Sequence, residues 1–149
     1  MMTAEDAAQL IHEALAAAVA GDGDRAADLV ARLGVDSDAA RMLGVCYAFA
    51  EAGHKALKKL FGDQAPNPQH GDYWMIQQLG PGALDNPAQG FASRFLVAYC
   101  NGDRDTARAH WETALQAGPE AFIGGVCQLL IDVAGLARAV IQQSEAEGG

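Results

Sequence analysis

Moved along itself by 81 positions, this chain aligns without a gap, and no other feature of the sequence restricts its fold so closely. Gly21-Asp22 falls on Gly102-Asp103, Asp24 on Asp105, Ala26 on Ala107, Gly44-Val45-Cys46 on Gly125-Val126-Cys127 and Ala56 on Ala137. Residues 12–57 and 93–138 share 11 identities in 46 pairs, where so alanine-rich a composition gives roughly 4 by chance. Each half reads as helix, Gly-Asp turn, helix, acidic or proline cap, helix. Neither half buries both of its faces alone, so stacking the two yields one continuous core.

The helical reading rests on period and caps. Thr3 is placed to cap a first helix to about Ala20, with Glu5 and Asp6 in the turn that favours negative charge. Gly21-Asp22-Gly23-Asp24 breaks it, and Asp22 or Asp24 caps a second helix in which Ala26, Leu29, Val30 and Leu33 recur on one side. Gly34 ends that helix. Asp36 or Asp38 caps a third, to about Ala52, with Leu43, Tyr47 and Ala50 on one side; Gly53 predicts a break or bend before a short segment 55–61. Helical pattern resumes over 88–100 and 105–117. Gly118-Pro119 then supplies a stop followed by a proline suited to a first helical position, opening a long apolar helix to about Gln142.

Between the halves the pattern lapses. Residues 62–90 hold four of the five prolines (Pro66, Pro68, Pro81, Pro87) and no sustained period beyond a short turn near Tyr73 to Leu79. So long a connection inside a compact domain is uncommon and is more often functional or mobile than neutral. The expected architecture is therefore all-α and a single domain over 1–149. It comprises a first helical half (1–61), a Pro/Gly-rich connection (62–90), a second half (91–143) and a flexible tail (144–149), packed as a short α-solenoid or bundle.

Leu43-Gly44, Tyr47, Ala56, Leu60 and Pro68 fall at tetratricopeptide spacing, as do Gly102, Ala107, Trp111, Ala114 and Pro119. The chain resembles a divergent tetratricopeptide-like helical repeat protein over about two thirds of its length. It departs from that pattern in the irregular spacing of its units and in the interruption at 62–90. The resemblance implies a helical scaffold that binds peptides or partner proteins, and it implies no chemistry.

A net charge of −9 speaks against nucleic-acid binding, which needs a basic face to displace counterions. The one basic cluster, His54 to Lys59, reads as cations at the carbonyl pole of a helix. Cys46, Cys100 and Cys127 form no CxxC pair, and the acidic start lacks the regions of a secretory signal. Reduced, inert thiols in a cytoplasmic protein are the expectation. Segment 121–141 is apolar nearly all round but carries Gln128, Asp132 and Arg138 without interfacial anchors. It reads as a central core helix or a face for a homodimer, not as a membrane span.

Chemistry-bearing residues are few. The repeat aligns Glu51 with Asp132, so a pseudo-twofold packing would bring two carboxylates together, as an acid–base pair or a hard-metal site. The plainer reading makes each part of a solvent-facing stripe. His12, His54, His70 and His110 fall in no zinc-type spacing, so no metal site and no cofactor are expected. Gln69 to Trp74 places His70, Asp72, Tyr73 and Trp74 in a proline-flanked loop. His70 and Asp72 offer a dyad, and Tyr73 and Trp74 either a binding surface or a pin holding the connection on the core. No nucleophile elbow, Walker loop or dinucleotide fingerprint is present.

The leading expectation is a non-enzymatic interaction or scaffold module with a protein or peptide partner. One alternative is a small helical enzyme or ligand-binding protein with a cleft between the halves, using His70, Asp72, Glu51 and Asp132. The other is an acidic antagonist of a basic partner.

Overall fold

A computed structural model describes residues 2–148. Six α-helices account for most of them: α1 (Ala4–Val19), α2 (Gly23–Val35), α3 (Ala39–Phe61), α4 (Pro87–Cys100), α5 (Arg104–Gln116) and α6 (Pro119–Gly148). No strand occurs among the described residues. Short polar side chains start five of the helices. Thr3, Asp22, Asp38, Asn86 and Asp103 each accept a backbone N–H of the following first turn, satisfying a donor that no helical carbonyl reaches. Pro87 and Pro119 occupy the first position of α4 and α6, where a missing N–H costs nothing.

The two Gly-Asp turns are built alike. Gly21 and Gly102 carry φ of 85° and 73°, a left-handed conformation that penalises any side chain with a Cβ. Asp22 N donates to Ala17 O at 2.9 Å, and Asp103 N donates to Ala98 O at 2.9 Å. These bonds fold α1 onto α2 and α4 onto α5 as antiparallel hairpins.

Helix α6 packs against all five other helices, most extensively against α3 and α4. Its stripe of Phe122, Val126, Leu129, Leu130, Val133 and Ala134 is buried at the spacing of one helical face. It meets Phe49, Leu57, Phe95 and Leu96 in the single core cluster. Among the described residues α6 alone is long and apolar enough to cross a membrane, by length and composition.

Four expected features come out differently. Helix α3 runs unbroken through Gly53, and the glycine serves packing. A Cβ there would stand 2.8 Å from Val133 Cγ2 and 3.1 Å from Leu96 Cδ1, so hydrogen is the only substituent that lets α3, α4 and α6 approach so closely. Gly34 lies within α2, which runs to Val35, and Ile123 Cδ1 stands 2.8 Å from where its Cβ would be. Helix α6 continues beyond Gln142 to Gly148, so residues 144–148 of the expected tail are helical. The connection is built as three 3₁₀ turns (Gly62–Gln64, Pro68–His70, Ile76–Leu79).

Candidate functional site

The connection is anchored most deeply at Trp74, while Ala65 and Leu79 also pack against the core. Trp74 is 2% exposed, and its ring meets Phe61 edge-on with centroids 5.2 Å apart and His54 at 6.4 Å. Asn101, beside the second Gly-Asp turn, clamps the same residue. Trp74 N donates to Asn101 Oδ1 at 2.7 Å, and Asn101 Nδ2 donates to Trp74 O at 3.0 Å. A paired amide is the right group here, because it answers both backbone atoms of a segment that has left regular structure. Of the two readings for Tyr73 and Trp74, a binding surface or a pin on the core, the buried Trp74 takes the second, and Tyr73 alone of the two is exposed, at 56%.

Beside that anchor the connection carries a mainly apolar hollow. Met75 and Leu84 are 55% and 51% exposed and, with Ile76, Val97 and an edge of Trp74, line a shallow hollow of about 580 Å³. Asp85 lies at its edge and Asp72 is exposed nearby in sequence.

The four candidate catalytic residues have separate surroundings. His70 is exposed, with Nδ1 3.3 Å from Asn67 Nδ2. Asp72 is exposed, and no hydrogen bond or ion pair joins it to His70 among the described residues. Glu51, on α3, receives the Tyr99 hydroxyl. Asp132, on α6, receives Nε2 of Gln89 through Oδ2 and Nε2 of Gln128 through Oδ1. The α4 partners of the two acids, Tyr99 and Gln89, are ten positions apart, about 15 Å of helix. Among the described residues no three His, Cys, Asp or Glu side chains are grouped to hold a metal ion.

Each acid organises a distinct neighbourhood. Near Glu51, the Arg104 guanidinium lies 4.4 Å from the Tyr99 ring centroid and 4.8 Å from that of Tyr47, within cation–π range. Burial and the bond to Glu51 push the Tyr99 hydroxyl up to about 12, keeping it a donor. Burial, reinforced by Lys58, holds His54 below the usual imidazole value, with Glu51 opposing. The Cys46 and Cys100 thiols are pushed up to about 12, chiefly by burial, which leaves them without thiolate character.

Asp132 lines a second hollow, of about 510 Å³, between α4, α6 and residues 79–85 of the connection. Burial raises its carboxyl above the ordinary value, with the two glutamine bonds opposing. Ser93, 1% exposed and the one buried polar residue among the described residues, lines the same hollow and lies 3.3 Å from Gln89 Nε2.

The helix spacings of Gln128 with Asp132 and of Gln89 with Ser93, four apart in each case, were readable as neighbouring pairs. That the pairs meet across two helices was not, and neither was the role of Asn101. Family models, curated proteins and solved structures were all compared with the chain, and none matches it.

Proposed function

We propose that this protein is a non-enzymatic helical scaffold that binds a protein or peptide partner through the outer side of its central connection. The observation that carries the reading is the exposure of Tyr73, Met75 and Leu84 on a segment whose neighbouring Trp74 is locked into the core. Large apolar side chains held in place on a surface bind at little entropic cost, and aromatic and methionine side chains are enriched at interfaces. Net charge of −9, with Asp72 and Asp85 beside the patch, favours a partner that sets basic residues around an apolar anchor. The scattering of His70, Asp72, Glu51 and Asp132 weighs against the catalytic alternative, because a reaction needs its groups within hydrogen-bond reach of one substrate.

The same proposal takes the two helical hairpins as duplicated halves of a short tetratricopeptide-like array. Support comes from the matching turn geometry at an offset of 81 and from the burial of Ala26 with Ala107 and of Val45 with Val126. It places the protein in the cytoplasm. It extends to self-association through α6, where Ile131 and Ile141 are 50% and 47% exposed.

A photo-crosslinking residue at position 73, expressed in cells of the source organism, tests the interaction reading. A discrete heterologous adduct is expected, absent when the same residue is placed at exposed position 27 of α2 and lost in a Met75→Ser, Leu84→Ser variant that stays folded. Adducts equally abundant from both positions, or unaffected by the double substitution, would defeat it. Sedimentation of the purified chain over a concentration series decides self-association.

A further inference from the structure

We propose that the hollow between α4, α6 and residues 79–85 is a binding site for a small organic cation, a primary ammonium carried on a short hydrocarbon body. This goes beyond scaffold function and rests on different residues. The volume, about 510 Å³, falls within the range of small-molecule sites. Leu79, Leu96, Ile131 and Leu136 supply apolar wall beside polar and charged groups, and Asp132 is the carboxylate there that two glutamines orient.

Asp132 has no ion-pair partner among the described residues. It is half-buried, and the one ion pair among the described residues joins Arg108 and Glu112 on α5. Taking a carboxylate partly out of water with no counter-charge costs stability. The glutamines orient the group without neutralising it. Each oxygen accepts one amide hydrogen, from Gln89 or Gln128, and retains capacity for a further donor. An alkylammonium supplies three donors and the missing charge together. The buried Ser93 hydroxyl provides another acceptor on the same wall.

The neighbouring charges agree. Asp85 lines the hollow as well, adding to its negative potential. Arg138 also lines it, but it lies six positions along α6 from Asp132, about 9 Å of helix rise. Its Nη1 donates to the Ala18 carbonyl at 2.8 Å. A hard metal ion is a poor fit, because it needs a shell of six or more oxygens and the described residues gather no three His, Cys, Asp or Glu side chains to hold one.

The test uses n-hexylammonium and its neutral counterpart n-hexanol as probes of the full chain, followed by ¹H–¹⁵N spectra. The amine is expected to shift the side-chain amides of Gln89 and Gln128 and to bind at least about tenfold more tightly than the alcohol, the size of one charged hydrogen bond. Asp132→Asn removes charge at nearly constant shape and should weaken the amine by about the same factor while leaving the alcohol unchanged. Asp28→Asn, on exposed α2, controls for net charge and should change neither. Equal binding of the two probes to the unaltered protein would overturn the proposal, whether or not the Asp132 variant folds. So would an amine response spread over the acidic surface, or an Asp28 effect matching that of Asp132.

Discussion

Replacing Trp74 by alanine removes the side chain that ties 25 residues of irregular connection (62–86) to the helical core. The indole is buried against Phe61 and His54, and its backbone is held from both sides by Asn101. Truncating a buried aromatic costs about 3–5 kcal/mol, the transfer term plus that of the cavity left behind. Domains are stable by about 5–15 kcal/mol in total, so the loss is a large share of what holds this one folded. At about 2–4 °C per kcal/mol for a chain of this size, the midpoint should drop by roughly 6–20 °C. Trp74→Phe separates the ring from its polar atom. The indole Nε1 is buried without a hydrogen-bond partner, a state that costs about 1–3 kcal/mol. Phenylalanine relieves that cost while giving up part of the packing, so its net effect should stay within about 1 kcal/mol. Tyr73→Ala, one residue away and exposed, should stay within about 0.5 kcal/mol. Urea unfolding followed by far-UV circular dichroism, with Trp111 fluorescence as a second probe, measures all three variants. A Trp74→Ala loss no larger than that of Tyr73→Ala would refute the assignment of Trp74 as the anchor.

Gly53→Val should destabilise by about 1–3 kcal/mol through overpacking against Val133 and Leu96; a thermal midpoint unchanged by the substitution would mean that α3 bends there after all. Gly21→Ala and Gly102→Ala should each cost about 1–2 kcal/mol, because both place a Cβ at positive φ, and the double variant should show the sum, since the sites lie in separate turns. Asp132→Asn should be more stable than the unaltered protein at pH 7. The raised carboxyl of Asp132 means that the folded state binds more protons than the unfolded one, so its contribution to stability declines as pH rises from the unfolded value of about 4 through the folded value. The advantage of the asparagine variant should therefore shrink on acidification and vanish below about pH 4; denaturant midpoints compared across pH would expose the opposite trend.

Several features of the site were legible at residue level and others were not. Thr3 announced its helix start, and the pairs Asp22/Asp24 and Asp36/Asp38 each held the capping residue, Asp22 and Asp38, because a cap acts within three residues of itself. Pro119 marked the start of α6 for the same local reason. Gly53 was misread because a glycine that weakens a helix and one that admits a neighbouring helix look identical in sequence. Tyr73 and Trp74 carry equal apolar signals, and their opposite fates depend on Phe61, His54 and Asn101, which lie 13 to 27 positions from Trp74. Glu51 and Asp132 align in the repeat but take their partners from different ends of α4, since equivalence in sequence fixes the position of each acid on its own helix and not which part of a neighbouring helix it meets.

The amino-acid sequence by itself placed the helical segments, the cap at Thr3 and the two Gly-Asp turns, because each depends on hydrogen bonds and backbone sterics spanning a few residues. Tertiary structure decided what those elements expose: which of two adjacent aromatics is buried, that α3 stays whole, and that Asp132 ends half-buried beside two glutamines. Those outcomes come from packing and desolvation between segments far apart in the chain, where close approach of side chains and not local propensity sets the free energy.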